Sequence, residues 1–215
     1  MSLDELLRRL GACEDALEWA AGKNYKHAWE SCSRADRMLW AVVRIGLDRR
    51  LVVRALTAIV RPSLLLVPAG ELRPRRALEL AEAWANGQDV SVVELRDAYQ
   101  ASFAAADDMA ISGASGVACA VAYAVAYAAD AINAAADAMA NDADAMANDA
   151  DAINAAAYLS TDPAYADIVR RIIPWSAVAS QLSSFLVDEP LGQFARSDYR
   201  CPIPRWAAVR HARRV

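Results

Sequence analysis

The sequence predicts an all-α fold, a multi-helix bundle, and three observations lead to this prediction. Alanine, the residue with the highest helix propensity, supplies fifty of the 215 residues. Large apolar residues recur at the spacings of an amphipathic helix, whereas no segment alternates apolar and polar residues for long enough to predict a strand. With only 8 glycines and 8 prolines, the composition is that of a globular chain rather than a fibrous or disordered one.

Residues 1–100 are predicted to form a series of short helices, because residues that start and stop helices recur along them. Ser and Asp side chains can accept the free N–H groups of a first turn, and a Glu three residues later can reciprocate in a capping box. Glycine readily adopts the left-handed conformation that ends a helix, and proline stops one. The predicted starts are Ser2 with Glu5, Ser33 with Asp36, Asp48, Pro74 and Ser91 with Glu94, and the predicted stops are Gly11, Gly22, Gly46, Pro62 and Gly87.

Tryptophans are predicted to anchor the core of this part of the chain. The predicted anchors are Trp19, Trp29, Trp40 and Trp84. Trp40 shares an apolar helix face with Val43, so we expect its side chain to be buried. An aromatic cage for a ligand is the weaker hypothesis for these residues.

Charge is distributed unevenly along the chain. Residues 1–100 carry 15 basic and 14 acidic residues, a net charge of +1. Residues 101–163 carry nine aspartates and no lysine or arginine, a net charge of -9. Residues 164–215 carry eight arginines and four acids, a net charge of +4. The sequence is therefore organised as a neutral head, an acidic middle and a basic end.

The acidic segment contains a seven-residue repeat. Large apolar residues recur every seven residues, and aspartates recur with the same period at Asp130, Asp137, Asp144 and Asp151. Asp130 precedes Ile132 by two residues, so on an α-helix the two lie about 200° apart around the axis. The aspartate row is thus predicted to face away from the apolar row. Most other positions are alanine, which lets such helices pack closely.

This segment is too long for one straight helix. A helix over residues 117–159 would be about 64 Å long, whereas a compact domain of this size is about 35 Å wide. We therefore expect antiparallel helices, with breaks at 113–116 and at one of the Asn-Asp pairs, 141–142 or 148–149. The predicted domain covers 1–187, built from 1–100, 101–163 and closing helices over 164–187, and is followed by a basic tail over 188–215.

Residues that carry catalysis or bind metal ions are sparse. The cysteines at positions 13, 32, 119 and 201 are far apart and form no C-x-x-C pair, so reduced thiols in a cytoplasmic protein are expected. His27 and His211 are isolated, and neither a metalloprotease nor a phosphate-loop motif occurs. We expect a non-enzyme without a metal ion or cofactor.

One uncharged stretch raises the question of a membrane span. Residues 109–129 carry no charge and are long enough to cross a bilayer. They are mainly Ala, Ser, Gly and Tyr, which favours a buried, closely packed helix. The first ten residues place acids before apolar residues and lack the apolar region of a secretory signal. A cytoplasmic protein without membrane contact is expected.

Several blocks of the sequence resemble a bacterial family of alanine-rich, all-helical immunity proteins, whose members lie near toxin genes or in phages. The matching residues of the first block are Cys13, Ala16, Leu17, Trp19, Trp29, Cys32, Arg34, Asp36, Leu39, Trp40, Arg44, Gly46, Asp48 and Arg49. The blocks ELRPRRALELAEAWANG, AYAVAYAADA and ADIVRRIIPW follow in order, so the resemblance extends over about residues 1–180. In this chain the alanine tract is enriched in Asp and Asn rather than Arg. The resemblance implies an all-helical fold and an antagonist of a toxin.

Two sets of residues are candidates for partner binding. The first lies around two helix ends near Trp29 and Trp40 and comprises Arg34, Asp36, Arg44, Asp48, Arg49 and Arg50. These residues either form a polar pocket or partner contact, or they are structural, with aspartates at helix starts and arginine stems on tryptophan. The second set is the row Asp130, Asp137, Asp144 and Asp151, which either binds a partner or forms a solvated helix face.

Two classes of function fit these features. The first is an immunity protein whose acidic surface complements a basic toxin or nuclease and speeds their encounter. The alternative is a phage or mobile-element inhibitor that mimics nucleic acid and blocks a host defence nuclease. DNA carries one charge per ~1.7 Å and the aspartate row one per ~10.5 Å, which favours the first class. A protein partner is expected, without direct nucleic-acid binding, and a homodimer through the alanine-rich helices stays open.

Overall fold

The computed structural model describes residues 1–113, 118, 119, 121–123, 125 and 163–188. These residues form α-helices and one 3-10 helix, and none of them lies in a strand, which confirms the predicted all-α bundle. The helices are α1 (Leu3–Arg9), α2 (Glu14–Ala20), α3 (Tyr25–Ser31), α4 (Ala35–Arg44), α5 (Arg49–Val60), a 3-10 helix (Arg61–Leu66), α6 (Arg73–Ala85), α7 (Val92–Ile111), α8 (Pro163–Ile172) and α9 (Trp175–Asp188). In this described part, no helix is both long and apolar enough to cross a membrane.

Most of the predicted helix starts are confirmed. Ser91 and Glu94 form a complete capping box at the start of α7, because the Ser91 hydroxyl accepts the Glu94 N–H and the Glu94 carboxylate accepts the Ser91 N–H. Ser2 accepts the Glu5 N–H at the start of α1. The Asp48 carboxylate accepts the Arg50 N–H, 2.9 Å away, and caps α5. Pro74 lies in the first turn of α6.

Helix α4 begins at Ala35, between Ser33 and Asp36 as predicted, but the predicted cap is wrong. The residue before the helix is Arg34, whose side chain forms no capping bond, and Asp36 lies inside the first turn rather than at the cap. Asp36 instead pairs with Arg34, so its carboxylate is engaged by a guanidinium instead of by backbone N–H groups. The predicted stops fare better. Gly46 and Gly87 follow helix ends with φ of 75° and 83°, the left-handed conformation that favours glycine.

A first core joins the head of the chain to its closing helices. It contains side chains from α1, α3, α4, α5, α8 and α9. Leu39, Ile59 and Ile173 are fully buried in it. Residues 163–188 thus complete a core that begins more than a hundred residues earlier in the sequence.

A second core lies between α5, α6 and α7 and includes Val121 and Val125. Helix α5 contributes to both cores, because Val52 packs in the first and Val53 in the second. Consecutive residues of a helix point about 100° apart, so one helix can serve two cores. Helix α5 is therefore the central element of the described structure.

The predicted break near residue 113 is confirmed. Helix α7 ends at Ile111, and Gly113 follows with a φ of 76°. Helical residues beyond it lie against α7, where the Ser102 hydroxyl donates to the Ala122 carbonyl at 2.9 Å. The Tyr123 ring meets Phe103 edge to face at 5.0 Å between ring centroids. The other predicted breaks lie outside the described residues.

The predicted close packing through alanine is visible at this turn. The facing side chains in α7 and in the helical residues after Gly113 are small and buried, and they comprise Ser102, Ala105, Ala106, Ala118 and Ala122. Small side chains let two helix backbones approach, and the Ser102 bond to the opposite backbone shows that they do.

Candidate partner-binding surface

Arg34 forms a two-point ion pair with Asp36 at the start of α4. Its Nε and Nη2 atoms lie 2.8 and 2.5 Å from the two oxygens of the Asp36 carboxylate. The Asp36 side chain is 14% exposed and the Arg34 side chain 48%. Two parallel bonds of this kind fix a guanidinium firmly. The pair thus presents an oriented, half-exposed guanidinium at this end of α4.

Arg44 lies at the opposite end of α4, against Trp40. Its guanidinium carbon is 5.8 Å from the centroid of the Trp40 ring. Trp40 packs against the first core but is only partly buried. The prediction that Trp40 is buried is therefore too strong, since an arginine rather than an apolar side chain lies over its ring. Of the predicted tryptophan anchors, only Trp29 is buried, and Trp19, Trp40 and Trp84 are half-buried.

The predicted set of arginines and aspartates does not form one pocket. Arg34 and Arg44 are ten residues apart on one helix, which separates their backbones by about 15 Å. Arg49 lines a cavity of about 310 Å³ at the junction of α4 and α5. Arg50, the next residue, lies over the Trp84 ring on α6, 5.5 Å from its centroid. The set is therefore divided among separate places on the surface.

Arg170 of α8 is a key residue of this region that the sequence analysis did not single out. Its Nη1 atom donates to the carbonyl oxygens of Trp29 and Cys32, at 3.3 and 2.7 Å. Its Nη2 atom donates to Asp167 at 2.6 Å. These carbonyls belong to the C-terminal end of α3, where a cation satisfies orphan acceptors and the helix dipole together. No local sequence signal joins residue 170 to residue 32.

The beginning of the acidic segment is described at the end of α7. Asp107 accepts a hydrogen bond from the Tyr123 hydroxyl at 2.5 Å, and Asp108 pairs with Arg73 at 2.8 Å. Arg73 also pairs with Glu71, and these two carboxylates raise the pKa of the Arg73 guanidinium. Both aspartates are exposed, although each contacts a residue of a neighbouring helical segment, Tyr123 or Arg73. The row Asp130, Asp137, Asp144 and Asp151 lies outside the described residues.

Potential metal ligands and the buried Cys32 thiol are the remaining candidate groups for chemistry in the described part of the chain. No three His, Cys, Asp or Glu residues there are close enough to hold a metal ion. Cys32 is buried, and burial raises the pKa of its thiol, which keeps it protonated and weakly nucleophilic. The Cys32 sulfur donates instead to the Arg34 carbonyl.

Comparison of the chain with protein-family models, with curated proteins and with solved structures finds no match in any of the three.

Proposed function

We propose that this protein is an immunity protein, a non-enzyme that binds and neutralises a protein toxin or nuclease through its acidic alanine-rich segment. The observation that carries the proposal is the charge of residues 101–163, which is -9 without a single basic residue. A surface of one sign steers a partner of the opposite sign and accelerates encounter. Toxic nucleases need basic clefts to bind their substrates, so an acidic surface suits them.

Acidic and small side chains differ in exposure at the end of α7. Asp107 and Asp108 are exposed, whereas Ser102, Ala105 and Ala106 are fully buried against the neighbouring helices. If this difference continues along the segment, the heptad aspartates form a ridge on the solvent side. Each aspartate can then be replaced by asparagine without leaving a buried group unpaired.

To test this proposal, the chain is co-expressed with the product of each adjacent gene in the native genome. A toxin among those products is recognised because it stops growth alone and not together with this chain. The purified pair is then compared with a variant in which Asp130, Asp137, Asp144 and Asp151 are asparagine. We expect an unchanged circular dichroism spectrum and an association rate at least about tenfold slower at low salt.

A matched control distinguishes the effect of the aspartate row on binding from the effect of net charge alone. Four exposed acids of the described structure, Asp15, Glu18, Asp89 and Asp97, are replaced by their amides, which changes the net charge by the same amount. This control is expected to bind nearly as fast as the parent. Equal association rates for the row variant and the parent would assign the row to solubility, and failure of every adjacent product to be neutralised would overturn the immunity function itself.

A further inference from the structure

A cleft between α5 and α6 has the features of a binding site. One wall is formed at helical spacing by Arg54, Thr57 and Ala58 of α5 and by Arg61, the first residue of the 3-10 helix. Pro62 and three residues from the end of α6, Glu82, Ala85 and Asn86, complete the lining. The volume of this open cleft is about 310 Å³, which is at the lower end of the ~300–1,000 Å³ range of small-molecule pockets.

The two arginines of this cleft differ in how their charges are balanced. Arg61 forms a two-point ion pair with the Glu82 carboxylate, so its charge is compensated. Arg54 donates to the Ala85 carbonyl at 2.9 Å, so its partner is the partial negative charge at the C-terminal end of α6 and not a carboxylate. Among the described residues Arg54 has no carboxylate partner. The lining therefore carries one excess positive charge, and its position is fixed by the end of α6.

A second arginine without a carboxylate partner among the described residues, Arg50, lies one turn away on α5. Arg50 stacks over Trp84, the residue before Ala85. Its Nη1 atom lies beside Gly87, 3.5 Å from the position that a Cβ atom would occupy on this glycine. Like charges at this spacing repel one another. Both are nevertheless held at the C-terminal end of α6, Arg50 by the Trp84 ring and Arg54 by the Ala85 carbonyl.

We propose that Arg50 and Arg54 bind the phosphate group of a small phosphorylated molecule, whose body occupies the α5–α6 cleft. Guanidinium groups bind phosphate through paired N–H donors. A phosphate monoester carries a charge of about -1.5 to -2 at neutral pH, which balances two arginines, whereas a single carboxylate balances one. The walls formed by Ala58, Pro62 and Ala85 suit an apolar body. This site is separate from the acidic segment and does not depend on toxin binding.

The test is a titration of the ¹⁵N-labelled full chain with phenyl phosphate, inorganic phosphate and acetate at constant ionic strength, followed by amide chemical shifts. We expect saturable shifts for the amides of Asn86 and Gly87, tighter binding of phenyl phosphate than of inorganic phosphate, and little response to acetate. Arg54→Gln should bind phenyl phosphate about tenfold more weakly, because a hydrogen bond from a charged group is lost.

A matched control is Arg75→Gln, which removes an exposed arginine of α6 outside the cleft and should bind like the parent. If Arg54→Gln does not fold, Arg54→Lys keeps the charge but loses the planar fork and should still bind more weakly. Shifts that do not saturate, shifts centred elsewhere, or an Arg54 variant with the parent's affinity would overturn the site. Equal binding of acetate would overturn the assignment to phosphate. Equal affinity for phenyl phosphate and inorganic phosphate would show that the cleft does not bind the body of the ligand.

Discussion

Replacing Arg170 should weaken the whole domain, because this residue joins α8 to the end of α3. Arg170→Ala removes two hydrogen bonds from a charged donor to backbone carbonyls, at 2.7 and 3.3 Å. Bonds of this kind contribute about 1.5–3 kcal/mol each at good geometry, and the longer one contributes less. The pair with Asp167 adds little, since the Asp167 side chain is 72% exposed. We expect a loss of about 2–4 kcal/mol in the free energy of unfolding.

The assay is urea unfolding followed by circular dichroism at the helical band. Arg170→Lys keeps the positive charge but cannot hold two carbonyls with one planar group. Its free energy of unfolding should therefore lie between those of the parent and Arg170→Ala. Arg171→Ala, which removes an exposed neighbour, is the control and should change stability by less than about 0.5 kcal/mol. If the free energy of unfolding of Arg170→Ala is within about 0.5 kcal/mol of the parent's, the contact between α8 and α3 does not stabilise the domain.

Three smaller predictions test individual contacts. Trp40→Ala should cost about 2–3 kcal/mol in a thermal or urea melt, less than a fully buried tryptophan, and an unchanged midpoint would show that its contact with the first core is unimportant. Ser91→Ala should cost about 1 kcal/mol by breaking the capping box with Glu94, and amide hydrogen exchange in the first turn of α7 should speed up; unaltered exchange there would refute the role of the cap. The pKa of Glu71 is lowered by its bonds from Arg73, so the pair stabilises the fold above the ordinary glutamate pKa and this contribution is lost as the pH falls through the lowered value. The stability difference between the parent and Glu71→Gln should therefore shrink from pH 6 to pH 3, and a constant difference would contradict the assigned cause.

Features that depend on neighbouring residues could be predicted from the sequence. The capping box at Ser91, the cap at Asp48 and the stops at Gly46 and Gly87 each involve residues within a few positions of one another, so their signal is local. The break after α7 was predictable for a related reason, because it follows from helix length and the position of Gly113. In contrast, the residue type of Asp36 predicts a helix cap that the side chain does not form. Its actual partner, Arg34, is equally close in sequence, and residue type alone does not decide between the two.

Contacts between distant parts of the chain could not be predicted in this way. Arg170 and Cys32 are 138 residues apart, and Arg73 and Asp108 are 35 apart. Arginines and carboxylates are common on any helical surface, so no residue type marks these pairs in advance. The half-burial of Trp40 has a similar origin. Its helix face is apolar by pattern, but the side chain that lies over its ring is Arg44, whose long stem and flat head can cover an aromatic surface.

The candidate arginines show why closeness in sequence overstates clustering on a helix. Arg49 and Arg50 are consecutive, yet about 100° of helical rotation directs Arg49 to the junction with α4 and Arg50 to Trp84 on α6. Arg34 and Arg44 are separated by the length of α4. A partner that used all of these residues would therefore have to cover several faces of the head at once. An acidic row with one residue per heptad has the opposite property, because seven residues complete nearly two turns and return to the same face. This geometric difference is the reason to test the aspartate row as the interface before the arginines.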